Sequence, residues 1–254
     1  MLTEFSGISA DMVLIQDHNS GDIIYSKNPR KIGPIASITK LMMAMVVIDS
    51  CADRQELLAI NGSDSRNKSC IEVGSRLSRS ELLCLALMAS ENLAASVLAK
   101  HYPGGKTAFV QAMNTKALSL GMKNTRFVDS TGLKPANVSS PKELLLMLNA
   151  AADYPLIRKM TTTSSVIQHF NDSNVRVFKN TNVLVNNPDW HIELSKTGYI
   201  PKAGKCLVMR ALINKRMTNI VLLNSAKGLM RFVDAITIKQ LLEPDFCNYR
   251  LLVN

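Results

Sequence analysis

The chain has 254 residues, of which 46% are hydrophobic, 5% aromatic and 20% charged, and it carries a net charge of +10. This is ordinary for a folded globular protein, and no apolar run is long enough for a membrane span. The positive excess suits a solvated basic surface or an anionic polymer as partner; without a long basic run, zinc-finger spacing or an RNA-binding aromatic motif, nucleic acid is set aside.

Residues 1–7 have no signal-peptide pattern, so an exported protein would be met here in its mature form. Apolar runs at 12–15 and 22–25 around a turn at 18–21 predict a β-hairpin. Residues 41–48 are apolar all round, which predicts a buried helix. Residues 61–69 are a polar loop. From 78 to 152 the pattern is helical. Ser78 and Glu81 form a capping box. Residues 107–120 are amphipathic and end at Gly121, and 129–132 is a turn. Ser140 and Glu143 form a second box, with Pro141 at the first helical position. After Tyr154 the signal turns to strands, at 176–178, 191–195, 206–213 and 219–223, before a closing helix over 228–242. Strands at both ends with helices between predict an α/β fold, with one sheet built from both termini, flanked by helices and carrying an inserted helical lobe. The expected division of this single domain is a sheet lobe over about 9–60 and 155–245 and a helical lobe over about 61–154.

Cys51, Cys70, Cys84, Cys206 and Cys247 are widely spaced with no Cys-x-x-Cys pair, so no zinc site is expected. Cys84 and Cys206 sit in apolar runs and read as core thiols. The surroundings of Cys51 and Cys70 permit a pairing without requiring it. His18, His101, His169 and His191 have no motif around them.

Ser-x-x-Lys occurs at Ser37, Ser65 and Ser139. Ser65 lies in the polar loop and Ser139 beside a helix cap. Only Ser37 is followed by a lysine in the first turn of a buried helix. Residues three apart share a helix face, so Lys40 can reach the Ser37 hydroxyl. The helix N-terminus favours negative charge developing on that oxygen. These are the conditions an activated serine needs. Ser90-Glu-Asn92 interrupts an apolar helical stretch, where polar groups either line a cleft or cap a helix. Lys196-Thr-Gly198 occurs once, against ~0.04 copies expected by chance, after a strand and before a turn at 199–201. Gly-x-Ser-x-Gly and His-Glu-x-x-His are absent. Gly105-Lys-Thr107 lacks the upstream glycine of a phosphate-binding loop.

Ser-x-x-Lys, Ser-x-Asn and Lys-Thr-Gly, in that order, are the signature of penicillin-binding proteins and class A β-lactamases. The chain resembles that superfamily from about Ser9 to Leu242. The segments 34–42, 87–92, 101–105, 124–127, 130–133 and 206–210 look like low-molecular-mass D-alanyl-D-alanine peptidases, most closely the penicillin-binding protein 7 type, a periplasmic D-alanyl-D-alanine endopeptidase. The resemblance implies a sheet lobe beside an all-helical lobe with the site between them. It also implies peptidoglycan as substrate, β-lactams as covalent inhibitors, a periplasmic location, and no metal or cofactor.

The mechanism expected of these residues is acyl transfer through a serine ester. Neutral Lys40 takes the Ser37 proton, its pKa lowered by burial and by the cation Lys196. Ser90 passes a proton to the leaving amine, and Asn92 holds the substrate amide and positions Lys40. By resemblance, the backbone N–H groups of Ser37 and Tyr199 form the oxyanion hole. Lys196 and Thr197 bind the carboxylate on the leaving side, and Gly198 lets the substrate backbone lie along the strand edge. Three alternatives stand beside the endopeptidase. A carboxypeptidase often adds a β domain and a membrane-binding helix, for which the stretch after Lys196 has no room. A class A β-lactamase needs a Glu-x-x-Leu-Asn element that is missing, since Glu143 and Asn149 have the wrong spacing. A non-catalytic wall-binding module would not need the full set of candidate catalytic residues.

Overall fold

A computed structural model describes residues 4–61, 69–171 and 174–243; Ser65 and Cys247 lie outside them. In chain order come β1 (Met12–Asp17), β2 (Ile23–Lys27), β3 (Gly33–Pro34), α1 (Thr39–Asp49), β4 (Leu57–Ala59), β5 (Arg76–Ser78), α2 (Arg79–Met88), α3 (Asn92–Lys100) and α4 (Gly105–Ser119). They are followed by β6 (Val138–Ser139), α5 (Pro141–Ala152), α6 (Pro155–Thr162), β7 (Ser165–Asn171), β8 (Asn174–Lys179), β9 (His191–Ile200), β10 (Gly204–Ile213), β11 (Arg216–Ser225) and α7 (Met230–Leu242).

The two chain ends meet in one five-stranded antiparallel sheet of order β2-β1-β11-β10-β9. Alternation along each strand sends side chains to opposite faces. Met12, Leu14, Leu194, Cys206, Val208, Val221 and Leu223 join a core that includes α1 and the helices beyond it. Val13, Ile15, Leu207, Met209, Ile220 and Leu222 face Phe232, Ala235 and Ile238 of α7. With both faces covered, the central strands read as continuous apolar runs. β9 is an edge strand, so among the described residues one of its backbone edges has no strand partner.

The Ser78 capping box is complete, with the side chain accepting from Glu81 N and the Glu81 carboxylate accepting from Ser78 N. The second expected box is only half formed. Ser140 accepts from Glu143 N, but the Glu143 carboxylate turns to Asn124 N, Asn124 Nδ2 and Thr125 Oγ1. The strand signal expected directly after Tyr154 is overturned by α6. Pro155 opens this helix, which buries Ile157, Met160 and Thr161 on one face; proline at a first helical position is the signal that was passed over. α5, placed by sequence in the helical lobe, packs on β1, β10 and β11. There Asn149 Oδ1 accepts from Arg210 Nη2 and Asn219 Nδ2. Cys206 is buried, Cys84 only half-buried, and Cys51 and Cys70 are exposed free thiols.

Candidate active site

Ser37 stands in a 3-10 turn, Ala36–Ile38, that runs straight into α1. Ala36 holds φ at 48°, a left-handed conformation costing a non-glycine residue about 1–2 kcal/mol. Ser37 stays partly exposed while Lys40, one turn on, is wholly buried. Lys40 Nζ lies 2.9 Å from Ser37 Oγ, 2.8 Å from Asn92 Oδ1 and 2.8 Å from the Thr131 carbonyl oxygen. The last two are acceptors only. A neutral amine therefore spends its two hydrogens on Asn92 and Thr131 and turns its lone pair toward the Ser37 hydroxyl.

The Thr131 carbonyl is held by a hydrogen-bonded turn. Asp129 Oδ1 accepts from Thr131 N, Thr131 Oγ1 and Gly132 N. Asn137 ties that turn to α1, accepting from Val128 N and donating to Thr39 Oγ1. Gly132 has φ +85°, and a Cβ there would sit 2.0 Å from the Ala36 oxygen and 2.8 Å from Ser37 N. Backbone atoms cannot swing aside. Gly132→Ala is expected to cost about 3–4 kcal/mol from the strained φ plus the overpacking, read as a lowered urea midpoint. A loss below 1 kcal/mol would mean that the turn does not bear on the Ser37 backbone as described.

The facing wall is the break between α2 and α3. Asn92 is the first residue of α3, and its side chain reaches Lys40. The helix cap offered as one reading of Ser90 is not its role. Glu91 occupies the N-cap position, its carboxylate accepting from Ser69 Oγ and Cys70 N. Ser90 itself is half-buried at φ 60°. Ala36 and Ser90 are thus both strained non-glycine residues within two positions of a Lys40 ligand or of Ser37 itself, a placement common where geometry is imposed by function.

Lys196, Thr197 and Gly198 lie inside β9, not at its end, and the turn follows Ile200. The sequence reading stopped the strand early because lysine, threonine and glycine break its apolar run. Lys196 is buried, its Nζ donating to the Thr197 carbonyl at 3.1 Å. A Cβ on Gly198 would meet Ile35 O at 2.9 Å and Ser37 N at 3.1 Å. Glycine is therefore what lets this edge strand lie against the Ser37 turn. Tyr199, next along, is 53% exposed. Sequence reasoning missed Arg231 at the start of α7, whose Nη1 donates to the Gly198 carbonyl at 3.0 Å and whose buried Nε has no partner among the described residues. No motif surrounds it. Asp129 had been read only as part of a turn, and Thr131 as part of that turn and of the 130–133 segment that carries the resemblance.

Burial pushes the Lys40 pKa down to about 7, against Asp129 and Glu91, which favour the ammonium. The contribution expected from Lys196 appears on the other partner. Burial first, then repulsion by Lys40 and Arg231, hold Lys196 well below the ordinary lysine range. Two buried amines, neither bonded to a carboxylate among the described residues, resist both being charged.

The sequence pattern of the D-alanyl-D-alanine carboxypeptidase family matches residues 2–227. The chain is 46% identical over 241 residues to a D-alanyl-D-alanine endopeptidase of Pseudomonas aeruginosa, covering 93% of this chain and 78% of the relative. It is 43% identical to the D-alanyl-D-alanine endopeptidase of Escherichia coli, with the same two coverages. Among solved structures, the streptomyces K15 DD-transpeptidase superposes with a TM-score of 0.84 at 26% identity, over 91% of this chain and 95% of the other.

Proposed function

The chain belongs to the D-alanyl-D-alanine carboxypeptidase family, and from that premise we propose that it is a serine D-alanyl-D-alanine peptidase acting on peptidoglycan, cleaving D-alanyl cross-links as an endopeptidase. The observation that carries the mechanism is Lys40 Nζ at 2.9 Å from Ser37 Oγ, with its other two contacts both acceptors. The amine takes the Ser37 proton as the oxygen attacks the D-alanyl carbonyl, so the bond formed is the serine ester. Ser90 relays a proton to the leaving amine, and water hydrolyses the ester. The N–H groups of Ser37 and Tyr199 hold the developing oxyanion, in a gap that Gly198 keeps narrow. Asn92 serves twice, gripping Lys40 and facing the substrate amide.

Lys196 and Thr197 receive the carboxylate on the leaving side of the scissile bond. That arrival has an electrostatic consequence. A carboxylate beside Lys196 draws the proton to that amine, and the resulting ammonium disfavours a second charge on Lys40. Substrate binding thereby keeps the base neutral. Arg231, through the Gly198 carbonyl, braces the same strand. β-Lactams, which present a strained carbonyl and a carboxylate, acylate Ser37 by the same route.

We read residues 1–254 as one peptidase domain and the location as periplasmic, where the proposed peptidoglycan substrate would be met. Endopeptidase action is favoured over carboxypeptidase action because these relatives are 46% and 43% identical, against 28% for a carboxypeptidase of Bacillus subtilis. The β-lactamase reading loses its remaining candidates. Glu143 is held by Asn124 and Thr125, and Asn149 by Arg210 and Asn219. Digestion of purified cross-linked muropeptides is expected to yield monomers. Free D-alanine as the sole product would assign a carboxypeptidase instead, and rapid sustained nitrocefin turnover a β-lactamase.

A further inference from the structure

Between β8 and β9 three consecutive residues each grip a different element. Asn180 Nδ2 donates to the carbonyls of Thr161 and Thr163, at the end of α6. Asn182 Nδ2 donates to Ser195 Oγ on β9. Thr181, between them, donates from its backbone N–H to Met88 O, the last residue of α2, at 3.1 Å. Its hydroxyl lies 2.7 Å from Thr197 Oγ1 and 3.4 Å from Met88 O.

One hydroxyl has one proton. The 2.7 Å contact is at the optimum for O–H···O, whereas 3.4 Å is beyond the usual range. Either hydroxyl can be the donor across the short contact while the groove is empty. Once Thr197 gives its proton to a carboxylate, that contact is kept only with Thr181 as the donor, its proton leaving the long Met88 contact for the short one. Thr197 then accepts from the protein and donates outward, which is what a carboxylate requires.

We propose that Thr181 is a positioning residue that fixes Thr197 as a donor to the substrate carboxylate, tying that wall of the groove to the end of α2 just before Ser90. The proposal rests on the reading that Thr197 binds the carboxylate. Without the Thr181 hydroxyl, Thr197 loses the donor that holds its oxygen and must be oriented by each incoming substrate.

The test is a cycle of Thr181→Val, Thr197→Val, their double variant and Thr181→Ser, followed by kcat, KM and thermal midpoint with a peptide ending in D-Ala-D-Ala or with cross-linked dimer, whichever is hydrolysed. Valine keeps the shape of threonine and removes only the hydroxyl. Thr181→Val is expected to lower kcat/KM about tenfold, the scale of one hydrogen bond to a charged group, through KM with kcat within twofold. Thr181→Ser should restore it. Added to Thr197→Val, the Thr181 change should cost nothing further, because the two act as one unit. Additive losses, or a loss in kcat that serine does not rescue, would overturn the positioning role and leave the carboxylate reading intact. A Thr197→Val protein with unaltered KM would instead remove that reading, and this proposal with it.

Discussion

Ser37→Ala is expected to gain no mass on incubation with benzylpenicillin and to hydrolyse cross-linked muropeptides roughly 10^4-fold more slowly or worse, since loss of a nucleophile disables the whole acyl-transfer unit. The fold should survive. The Ser37 side chain is partly exposed, and among the described residues its hydrogen-bonding contacts are Lys40 and, at 3.5 Å, the Thr131 oxygen. Intact-mass spectrometry reads the first effect, product chromatography the second and thermal unfolding the third. Undiminished antibiotic labelling of the alanine protein would move the nucleophile elsewhere and end the mechanism.

Lys40→Met keeps most of the length of the aliphatic stem and removes the amine proposed as the base. Acylation by benzylpenicillin should fall about 10^2- to 10^4-fold, the usual scale of general-base catalysis. In the wild type the same rate should fall about tenfold per unit as pH drops below about 7, where Lys40 becomes protonated; the methionine protein should show no such limb. The stability consequence has a definite sign. Lys40 has a folded-state pKa of about 7 against an ordinary lysine value of 10.5. Below pH 7 the amine is charged in both states, and burying the charge costs its full amount. Between pH 7 and 10.5 it is neutral when folded and charged when unfolded, so the cost shrinks by about 1.4 kcal/mol per unit. Wild type should therefore gain on Lys40→Met by about 3 kcal/mol between pH 7 and 9.5. The methionine protein has its own constant deficit, because Asn92 Oδ1 and the Thr131 oxygen lose their donor. A difference that stays flat with pH would mean that the amine is already charged in the folded protein.

Much of this architecture was legible beforehand. The hairpin at β1 and β2, the buried helix after Ser37 and the strands near both termini all follow from local periodicity, which needs no partner to be read. So does the order of Ser37, Lys40, Ser90, Asn92 and Lys196 to Gly198, because residue types needed for chemistry interrupt otherwise apolar stretches. α6 escaped because eight residues barely contain two turns, and because strand-forming residues follow it at once. The continuation of β9 through Lys196 and Thr197 escaped because burial of a lysine is a tertiary event.

By itself, the sequence determined which residues could act and that Ser37 and Lys40 would share a helix face, since three residues of helix fix that relation locally. The tertiary structure alone decided that the Thr131 carbonyl takes one Lys40 hydrogen and Asn92 the other, that Gly132 and Gly198 press on the backbone around Ser37, that Glu91 and not Ser90 occupies the N-cap position of α3, and that Arg231 and Thr181 brace the 197–198 strand. These contacts join residues far apart in the chain. Their geometry is set by how the sheet, α1 and the α2–α3 break pack together, and packing between distant segments leaves no periodic trace in any one of them.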